Sequence, residues 1–375
     1  MIFEVVGIWY KNKGAVLMLE AIREQVRARF PDARFAVTEM KPEGRDDLDV
    51  IGTLEPMRKL QRLQLMLPGW VLRMDNLIKR REVTVSLDAS GFAYGDFWGP
   101  RNIRNLSRRS RESREYGHVT IMLPQAVGPF EDAEIAKDFA AAVNNFDVAF
   151  LRDEQSMRFA GDAGVDMSRI TQSPDFTNLL FTALDPQHAS LSGVAWLIPN
   201  EKVLASGDKG RAEAYLHFMS EAAKTAIAAG VDLRILLHEG RSDRGIANSI
   251  NARLVNPLPI VEIDSTLQTK AVIAEAAFII SSRFHSLVSA LSNEVPVIAC
   301  GWSHKYEELL RDYGMERWNL DLSNEQDWAA LVVDFIAQVR SGELSRRIAP
   351  HAKAEKARAE VMWDKIFAVI LKKAV

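Results

Sequence analysis

The hydrophobic positions of the chain fall into short runs that alternate with stretches of helical spacing. Several runs are apolar throughout, as strands covered by helices on both faces should be. Such alternation predicts parallel sheets with crossover helices, and therefore an α/β fold. The ten runs are FEVVGI, RFAVTE, VTVSLD, HVTIML, FDVAFL, GVAWLI, DLRILLH, IVEID, AFIIS and VPVIAC.

The rhythm breaks between residues 174 and 192, where two prolines and scattered polar residues precede a new run. At 375 residues the chain is also too long for one ordinary core. We therefore expect two Rossmann-like domains, residues 1–180 and residues 181–345. The tail contains two long helical patterns, and we expect residues 346–375 to form a helix that packs back on the first domain.

Composition and charge narrow the class of protein. The chain is 47% hydrophobic and 26% charged with a formal net charge of −3, which gives no reason to expect bulk nucleic-acid binding. Its single cysteine, Cys300, excludes an intrachain disulfide framework and a cysteine-rich metal site. No run approaches the roughly 18 apolar residues of a membrane span, and the start has no basic leader. We expect a cytoplasmic protein.

An unusual polar corner follows the run AFIIS, where Ser281 and Ser282 lead into Arg283, Phe284 and His285. In an open α/β sheet, ligands bind beyond the carboxyl ends of the strands, and the N-terminus of the next helix favours an anion. A guanidinium binds carboxylate or phosphate in a fork, and an imidazole titrates near neutrality. The corner predicts a site for a small ligand with more than one negative group. The alternative is structural, with Arg283 paired to a carboxylate and His285 hydrogen-bonded at the helix start.

The same segment, AFIISSRFHSLVSALSNEVPVIACGWSHKYEELL, resembles the C-terminal signature of the polysaccharide pyruvyl transferase family. That signature has an Arg-x-His element after a strand, then a small-residue helix, a proline-containing strand and a lysine. Three further elements agree in order. IMLPQAVGPF resembles the family's Pro-Gln-x-x-Gly-Pro element, LRDEQS its Arg-Asp-x-x-Ser element, and SPDF the segment that closes the first domain.

The resemblance implies a fold similar to GT-B glycosyltransferases, with a cleft between two Rossmann-like halves. It implies a ketal-forming enzyme that transfers the pyruvyl group of phosphoenolpyruvate to two hydroxyls of one sugar in a surface polysaccharide, such as an exopolysaccharide, or its precursor. The first domain would be the acceptor side and the second the phosphoenolpyruvate side. Asn12, which we expect to bind substrate, lies in the element where the family often has an acidic residue after Asn-x-Gly, but here Ala15 follows Gly14.

Matched positions give the donor site as the resemblance implies it. Arg283, the backbone of Phe284, and His285 would hold phosphoenolpyruvate, with Arg152 as the second arginine. His285 would supply a proton to the methylene carbon or to the departing phosphate. The two arginines would neutralise the carboxylate and the phosphate and position the donor.

A base must also take the proton of a sugar hydroxyl, and three residues at strand ends are candidates. Asp88 is a candidate for catalysis or a turn residue that holds a glycine-rich loop. His238 and Glu239 are candidates for base or for acceptor binding. Lys305 opens a helix and reaches phosphate or solvent, and Gln125 either holds substrate or bridges a turn.

Two basic stretches stand out in the first domain, residues 57–81 and residues 101–114. The second carries six arginines against one glutamate, and the first mixes Leu, Met and Trp with basic residues. We interpret them as a solvated basic loop beside helices whose apolar faces are core. The alternative is a peripheral contact with an anionic membrane at its inner face, or with a lipid-linked glycan acceptor.

Two other functions remain open at this point. Fold does not fix function, so a GT-B glycosyltransferase with a nucleotide-sugar donor is one, and a non-catalytic glycan- or anion-binding protein is the other. The seven histidines show no ligand spacing, so we expect no metal site. We also expect no cofactor, because phosphoenolpyruvate would itself be the donor substrate, and no nucleic-acid partner.

Overall fold

The structure is a computed structural model that describes residues 1–38, 42–54, 63–203, 209–301, 303–323 and 326–374. The chain divides into two units. Unit 1 comprises Met1–Phe176 with Arg358–Val375, and unit 2 comprises Thr177–Ala357. The sequence predicted that the chain divides after residues 180 and 345, whereas the two units divide after residues 176 and 357.

Unit 1 is organised around one parallel sheet. Its strands in the described residues are β1 (Ile2–Val6), β2 (Arg34–Thr38), β3 (Ile51–Leu54), β4 (Leu77–Lys79), β5 (Val85–Asp88), β6 (Val119–Gln125), β7 (Val148–Leu151) and β8 (Ile170–Gln172). Every neighbouring pair is parallel, in the order β4-β3-β2-β1-β5-β6-β7-β8. The winding direction reverses between β1 and β5, and a crevice for ligands is expected at such a switch point.

The crossover helices of unit 1 are α1 (Lys13–Arg29), α2 (Pro42–Asp47), α3 (Gly69–Met74), α4 (Pro100–Glu115), α5 (Ala133–Val143) and α6 (Glu154–Asp162). Side-chain caps start three of them. Asn12 accepts the N–H of Ala15 in α1 at 3.1 Å, Asp132 caps α5 and Asp153 caps α6. Such caps satisfy N–H groups that have no partner within the helix.

Unit 2 repeats the plan with five strands in its described residues, β9 (Ala195–Ile198), β10 (Leu233–Leu237), β11 (Ile260–Glu262), β12 (Ile279–Ser281) and β13 (Val297–Ala299). They are parallel in the order β11-β10-β9-β12-β13, so the switch point lies between β9 and β12. Its helices are α7 (Lys209–Ala228), α8 (Gly240–Asn251), α9 (Thr266–Ala274), α10 (Phe284–Leu291), α11 (His304–Asp312), α12 (Trp328–Arg340) and the first part of α13 (Glu343–Ala374).

The predicted α/β class is confirmed, and all ten predicted runs contain a strand. Sequence analysis missed β3, β4 and β8. Each has only three or four residues, too short to show alternation. β4 also lies inside the basic stretch 57–81, which we had interpreted as helix and loop. Short 3-10 turns connect the elements at Arg80–Glu82, Asp96–Trp98, Met167–Arg169, Phe176–Leu179, Pro186–Leu191, Glu201–Val203 and Glu316–Trp318.

The last part of α13 packs on unit 1, as the fold prediction required. Trp363, Ile366 and Ile370 are buried, and the ring of Trp363 stacks on that of Phe367 at 5.5 Å. Phe367 meets Phe30 edge-on at 6.0 Å. Burial of large aromatic surface is a major stabilising contribution, so this helix is part of the unit 1 core. Within the residues described, no helix is long and apolar enough to span a membrane.

A buried charge interrupts the apolar surface of β1. Glu4 is fully buried, and its Oε2 lies 3.4 Å from Nε of Arg80. The hydroxyls of Thr38, Thr53 and Ser86 donate to its two oxygens at 2.9, 3.0 and 3.1 Å. Burial acts to raise the pKa of Glu4, but the nearby arginine charges and these hydrogen bonds outweigh it and lower the pKa.

We predict that Glu4→Gln costs about 3–5 kcal/mol, because it removes one partner of a buried ion pair. The loss should depend on pH. A carboxyl with a lowered folded-state pKa stabilises the fold above the ordinary glutamate pKa of about 4.3, and this contribution is lost as pH falls through the folded-state pKa. Urea unfolding measured at pH 7 and at progressively lower pH should therefore show that the difference in unfolding free energy between wild type and variant becomes smaller as the pH falls. The exposed Glu115→Gln serves as control, with a change within about 0.5 kcal/mol at pH 7. A gap that widens towards acid pH would contradict this assignment.

Candidate functional site

The polar corner predicted from the sequence lies at the switch point of unit 2. Ser281 ends β12, and the next residues lead directly into α10. In the sheet, β9 lies next to β12, and β10 lies next to β9. These two strands continue into Pro199 and His238. The structure therefore brings the carboxyl ends of the three strands to one place, as parallel pairing requires.

Arg283 is held there by two carboxylates. It is 5% exposed, its Nη1 lies 2.5 Å from Oε2 of Glu239, and its Nη2 donates to Oδ1 of Asp243. Nε also donates to the carbonyl of Pro199 at 3.4 Å. Burial acts to lower the pKa of the guanidinium, but Asp243 and Glu239 outweigh it and raise the pKa. Arg283 thus joins β9, β10 and β12 through one charged group, the Arg283 triad (Arg283, Glu239 and Asp243).

Asp243 is the centre of this arrangement. Its side chain is fully buried, and Oδ2 accepts the backbone N–H of Glu239 at 2.8 Å. Oδ1 also accepts the N–H of Glu201 at 3.4 Å. Sequence analysis missed it, although a carboxylate four residues after Glu239, at the start of the helix after β10, was the available signal.

A second set of hydrogen bonds fixes the backbone of the corner. The carbonyl of Ser282 accepts from Asn200 Nδ2 at 2.8 Å and from the Tyr306 hydroxyl at 2.9 Å. The Ser282 and Tyr215 hydroxyls lie 2.7 Å apart. Burial, with a contribution from Cys300, raises the pKa of Tyr215, so its phenol stays protonated. The loop before α10 is thereby held in one conformation.

The outer side of the corner carries a lysine, a histidine and a helix N-terminus. The His285 ring is partly exposed and stands perpendicular to that of Phe284 at 5.6 Å. Lys305 Nζ lies 5.2 Å from the Phe284 ring and 5.4 Å from the Tyr306 ring. The first backbone N–H groups of α10, from Phe284 onwards, have no acceptor within the helix. This side therefore suits an anion.

Of the other residues predicted in unit 2, His238 is buried, at 2% exposure, immediately after β10. Glu239 is the more exposed carboxylate of the triad, with 18% of its side chain exposed. The structure thus joins Arg283 to Glu239, and joins Phe284, His285 and Lys305 into a second group beside them.

A cavity in unit 2 is lined by Cys300, the residue that follows β13. Its volume is about 530 Å³, and Arg211 and Asp321 supply its charged lining. Cys300 is buried, and burial raises the pKa of its thiol to about 12. The thiol therefore remains protonated and unreactive at neutral pH.

Unit 1 has a cavity at its own switch point, between the ends of β1 and β5. Its volume is about 430 Å³. Gly7 makes the close approach possible, because its φ is +89° and a Cβ there would lie 2.5 Å from Cα of Ser90. The cavity is lined by Val5, Val6, Gly7, Ile8, Trp9, Thr38, Ser90, Ala93, Tyr94, Asn102, Asn105, Leu106 and Arg109.

Asp88 does not line this cavity but anchors two residues that do, Ser90 and Tyr94. It is 3% exposed, and its Oδ2 accepts the Tyr94 hydroxyl at 2.6 Å while Oδ1 accepts the N–H of Ser90 at 3.0 Å. Burial and the Asp88 charge raise the pKa of Tyr94, which stays a donor. These contacts match the turn-residue interpretation of Asp88. Asn12 caps α1 and is not among the residues that line the cavity.

Gln125 and Arg152 end neighbouring strands elsewhere in unit 1. The backbone N–H of Arg152 donates to the Gln125 carbonyl at 3.1 Å. Arg152 is 5% exposed, and its Nη1 lies 2.9 Å from Asp175 Oδ2, a partner that sequence analysis missed. Gln125 is fully buried, and neither Oε1 nor Nε2 has a hydrogen-bond partner among the residues described. A buried amide of this kind is expected to bond to a water or a substrate.

A metal site requires several His, Cys, Asp or Glu side chains to lie close together. No group of three or more His, Cys, Asp or Glu in the described part of the chain is arranged to hold a metal ion.

Comparison with known proteins decides the family. The model of the family described as polysaccharide pyruvyl transferase matches residues 12–304, which is most of the chain. The chain belongs to this family. The resemblance found in the sequence is therefore confirmed, and no curated protein sequence matches at a significant level.

Solved structures confirm the GT-B-like fold. A putative UDP-N-acetylglucosamine 2-epimerase from Listeria monocytogenes is similar at TM-score 0.61 and 12% identity, covering 98% of this chain and 96% of its own. HepE of Anabaena, solved with UDP-glucose, is similar at TM-score 0.59 and 13% identity, covering 99% of both chains. A UDP-GlcNAc 2-epimerase from Neisseria meningitidis, solved with UDP-GlcNAc, gives 0.60 and 11%, covering 99% of both. At such identities the likeness shows the fold alone.

We predict that Asp243→Asn destabilises the protein by about 3 kcal/mol, because it leaves the buried Arg283 with one charged partner instead of two. The matched control is Asp232→Asn, which breaks an exposed pair with Arg234 and should cost at most about 1 kcal/mol. Urea unfolding of both variants measures the difference. Equal losses would show that the Arg283 triad does not hold the corner together.

Proposed function

We propose that this family member transfers the pyruvyl group of phosphoenolpyruvate to two hydroxyls of one sugar in a surface polysaccharide or its precursor, forming a cyclic ketal. One observation carries the proposal beyond family membership. His285, Lys305 and the N-terminus of α10 meet on the outer side of the unit 2 switch point, beside Arg283.

The donor has two anionic groups, a phosphate and a carboxylate, and the corner supplies matching donors. In the proposed complex, the N–H groups at the start of α10 and Lys305 Nζ bind one group, and His285 faces the reacting carbon or the leaving phosphate. The triad alone carries a net charge of −1, so the proposal relies on Lys305 and the N–H groups at the start of α10 to attract the donor.

Arg283 takes a different role from the direct contact expected from the sequence. Its guanidinium binds Asp243 and Glu239 in this structure, so a donor oxygen reaches it only if Glu239 turns away. We therefore propose Arg283 as the residue that positions the loop, with direct donor contact on exchange of Glu239. Arg152, paired with Asp175, is proposed as the corresponding cation of unit 1.

The proposed chemistry balances without a cofactor or a change of oxidation state. The methylene carbon of phosphoenolpyruvate gains a proton and becomes the methyl group. Two sugar oxygens bond to the central carbon, whose bond to the phosphate oxygen breaks. Of the two hydroxyl protons, one replaces the proton given to the methylene carbon and the other leaves with phosphate. A general acid placed as His285 is proposed to be contributes about 10²–10⁴-fold.

The cavity of unit 1 is the proposed acceptor site. Trp9, 54% exposed, offers an aromatic face, while Asn102, Asn105 and Arg109 offer amide and guanidinium groups to sugar hydroxyls. Asp88 supports this site through Tyr94 and Ser90. The surface-polysaccharide acceptor and the cytoplasmic location stay predictions from the sequence.

A nucleotide-sugar donor is the second candidate, since similar structures were solved with UDP-glucose and UDP-GlcNAc. The donor experiment below separates the two. A non-catalytic binding protein is a third outcome, in which phosphoenolpyruvate binds but releases no phosphate with any acceptor tested.

We predict that phosphoenolpyruvate, but neither UDP-glucose nor UDP-GlcNAc, stabilises the wild-type protein against heat. Ligand at a hundredfold excess over its dissociation constant contributes about 2.7 kcal/mol. Lys305→Met and His285→Gln should lose most of this stabilisation, because they remove the two side chains that face the donor in the proposed complex. Thermal unfolding with phosphate and pyruvate as ligand controls measures the effect.

The matched control variants are Lys353→Met and His217→Gln, which change exposed residues of the same unit. Both should respond to phosphoenolpyruvate as the wild type does. Stabilisation by a nucleotide sugar alone would replace the proposed donor. Stabilisation by phosphoenolpyruvate that survives both Lys305→Met and His285→Gln would move the donor site elsewhere.

A further inference from the structure

The segment from Leu63 to Met74 in unit 1 has two apolar faces. Leu65 and Leu72 pack against Leu54 and Leu77 of the sheet and form one small core. The other face is in solvent. Its five large apolar side chains, here called the apolar ridge, are Leu63 at 64%, Met66 at 80%, Leu67 at 39%, Trp70 at 67% and Met74 at 80% exposed.

The exposures contradict our interpretation that the apolar faces of this stretch are simply core. Trp70 and Met74 lie four positions apart on one side of α3, and Leu63, Met66 and Leu67 lie in the segment just before Pro68. The five exposed side chains are therefore concentrated within twelve residues rather than scattered along the chain. Exposed apolar patches of this kind on a folded chain mark sites of interaction with a protein or a membrane.

The sequence that contains the ridge is basic. Residues 57–81 contain seven basic residues and one acidic residue, although the whole chain has a net charge of −3. Residues 57–62 lie outside the described residues, so this count is one of sequence. Within the described residues, Arg73 of α3 pairs with Glu82 at 2.7 Å.

The arginine-rich helix α4 contacts the 3-10 turn Arg80–Glu82, which also binds Arg73 of α3. Arg80, in the same 3-10 turn as Glu82, lies 2.6 Å from Glu112 and donates to Ser113 at 3.0 Å. α3 and α4 are therefore joined through this turn. The outward arginines of α4 are Arg101, Arg104, Arg111 and Arg114, all exposed.

We propose that the apolar ridge and the arginines of α4 dock unit 1 on an anionic phospholipid bilayer. The surface of such a bilayer matches both the ridge and the arginines. The apolar side chains enter the acyl boundary, and the negative headgroups attract each nearby basic residue. The proposal does not depend on the identity of the donor or acceptor.

Two other binding partners match the ridge and the α4 arginines less well. A symmetric dimer through the ridge would place the same positively charged surface against itself, because a twofold interface uses one patch on both chains. A nucleic acid would contact the arginines but leave Trp70, Met66 and Met74 in water. Charge and apolarity together therefore favour an anionic bilayer.

The test is flotation of the full-length protein with large unilamellar vesicles, without phosphoenolpyruvate or acceptor. The vesicles contain phosphatidylcholine alone or phosphatidylcholine mixed with phosphatidylglycerol. Binding should require phosphatidylglycerol and weaken as salt rises. The double variant Met66→Ser/Trp70→Ser should lose at least tenfold in apparent affinity, and so should Arg101→Gln/Arg104→Gln/Arg111→Gln.

Val255→Ser and Val361→Ser are the matched controls, because these apolar side chains are 97% and 67% exposed elsewhere in the chain. They should bind vesicles as the wild type does, and all variants should keep the wild-type melting temperature. The proposal is overturned if the wild type does not float with phosphatidylglycerol vesicles, or if the ridge variant floats as well as the controls. A dimer that the ridge variant dissolves, with no vesicle binding, would assign the ridge to a second copy of the chain instead.

Discussion

The buried ion pair between Arg283 and Asp243 is the constraint on which the candidate site of unit 2 depends. Arg283 follows β12, Asp243 lies in the helix after β10, and the guanidinium also reaches the end of β9 through Pro199. Removing such charges from water is costly, and only close pairing with further hydrogen bonds offsets that cost. The pair therefore fixes how three strand ends meet, and with them the N-terminus of α10.

Unit 1 shows the same physical device twice. Arg80 meets Glu4 of β1, and Arg152 meets Asp175 after the ends of β7 and β8. In each case a buried arginine bonds a carboxylate from another element. Parallel strands bring their carboxyl ends to one edge, and these pairs hold the polar loops that follow.

The fold was predictable because its signals are local. Ten apolar runs and the helical stretches between them specify parallel sheets, and only strands of three or four residues escaped detection. The position of the polar corner was predictable for the same reason, since strand ends share an edge. The partner of each arginine was not, because Asp243 and Asp175 are brought to Arg283 and Arg152 by tertiary packing. The exposure of Trp70 and Met74 was also hidden, since a helical apolar pattern does not say which face is covered.

The most direct test of this account is a crystal structure of the protein with phosphoenolpyruvate bound. The account predicts the donor at the start of α10, with one anionic group within hydrogen-bond distance of the N–H of Phe284 or His285 and of Lys305 Nζ. Asp243 should remain paired with Arg283 whether or not Glu239 has turned away. A donor bound in the cavity beside Arg211, or an Arg283 side chain that has left Asp243 to bind the ligand, would contradict it.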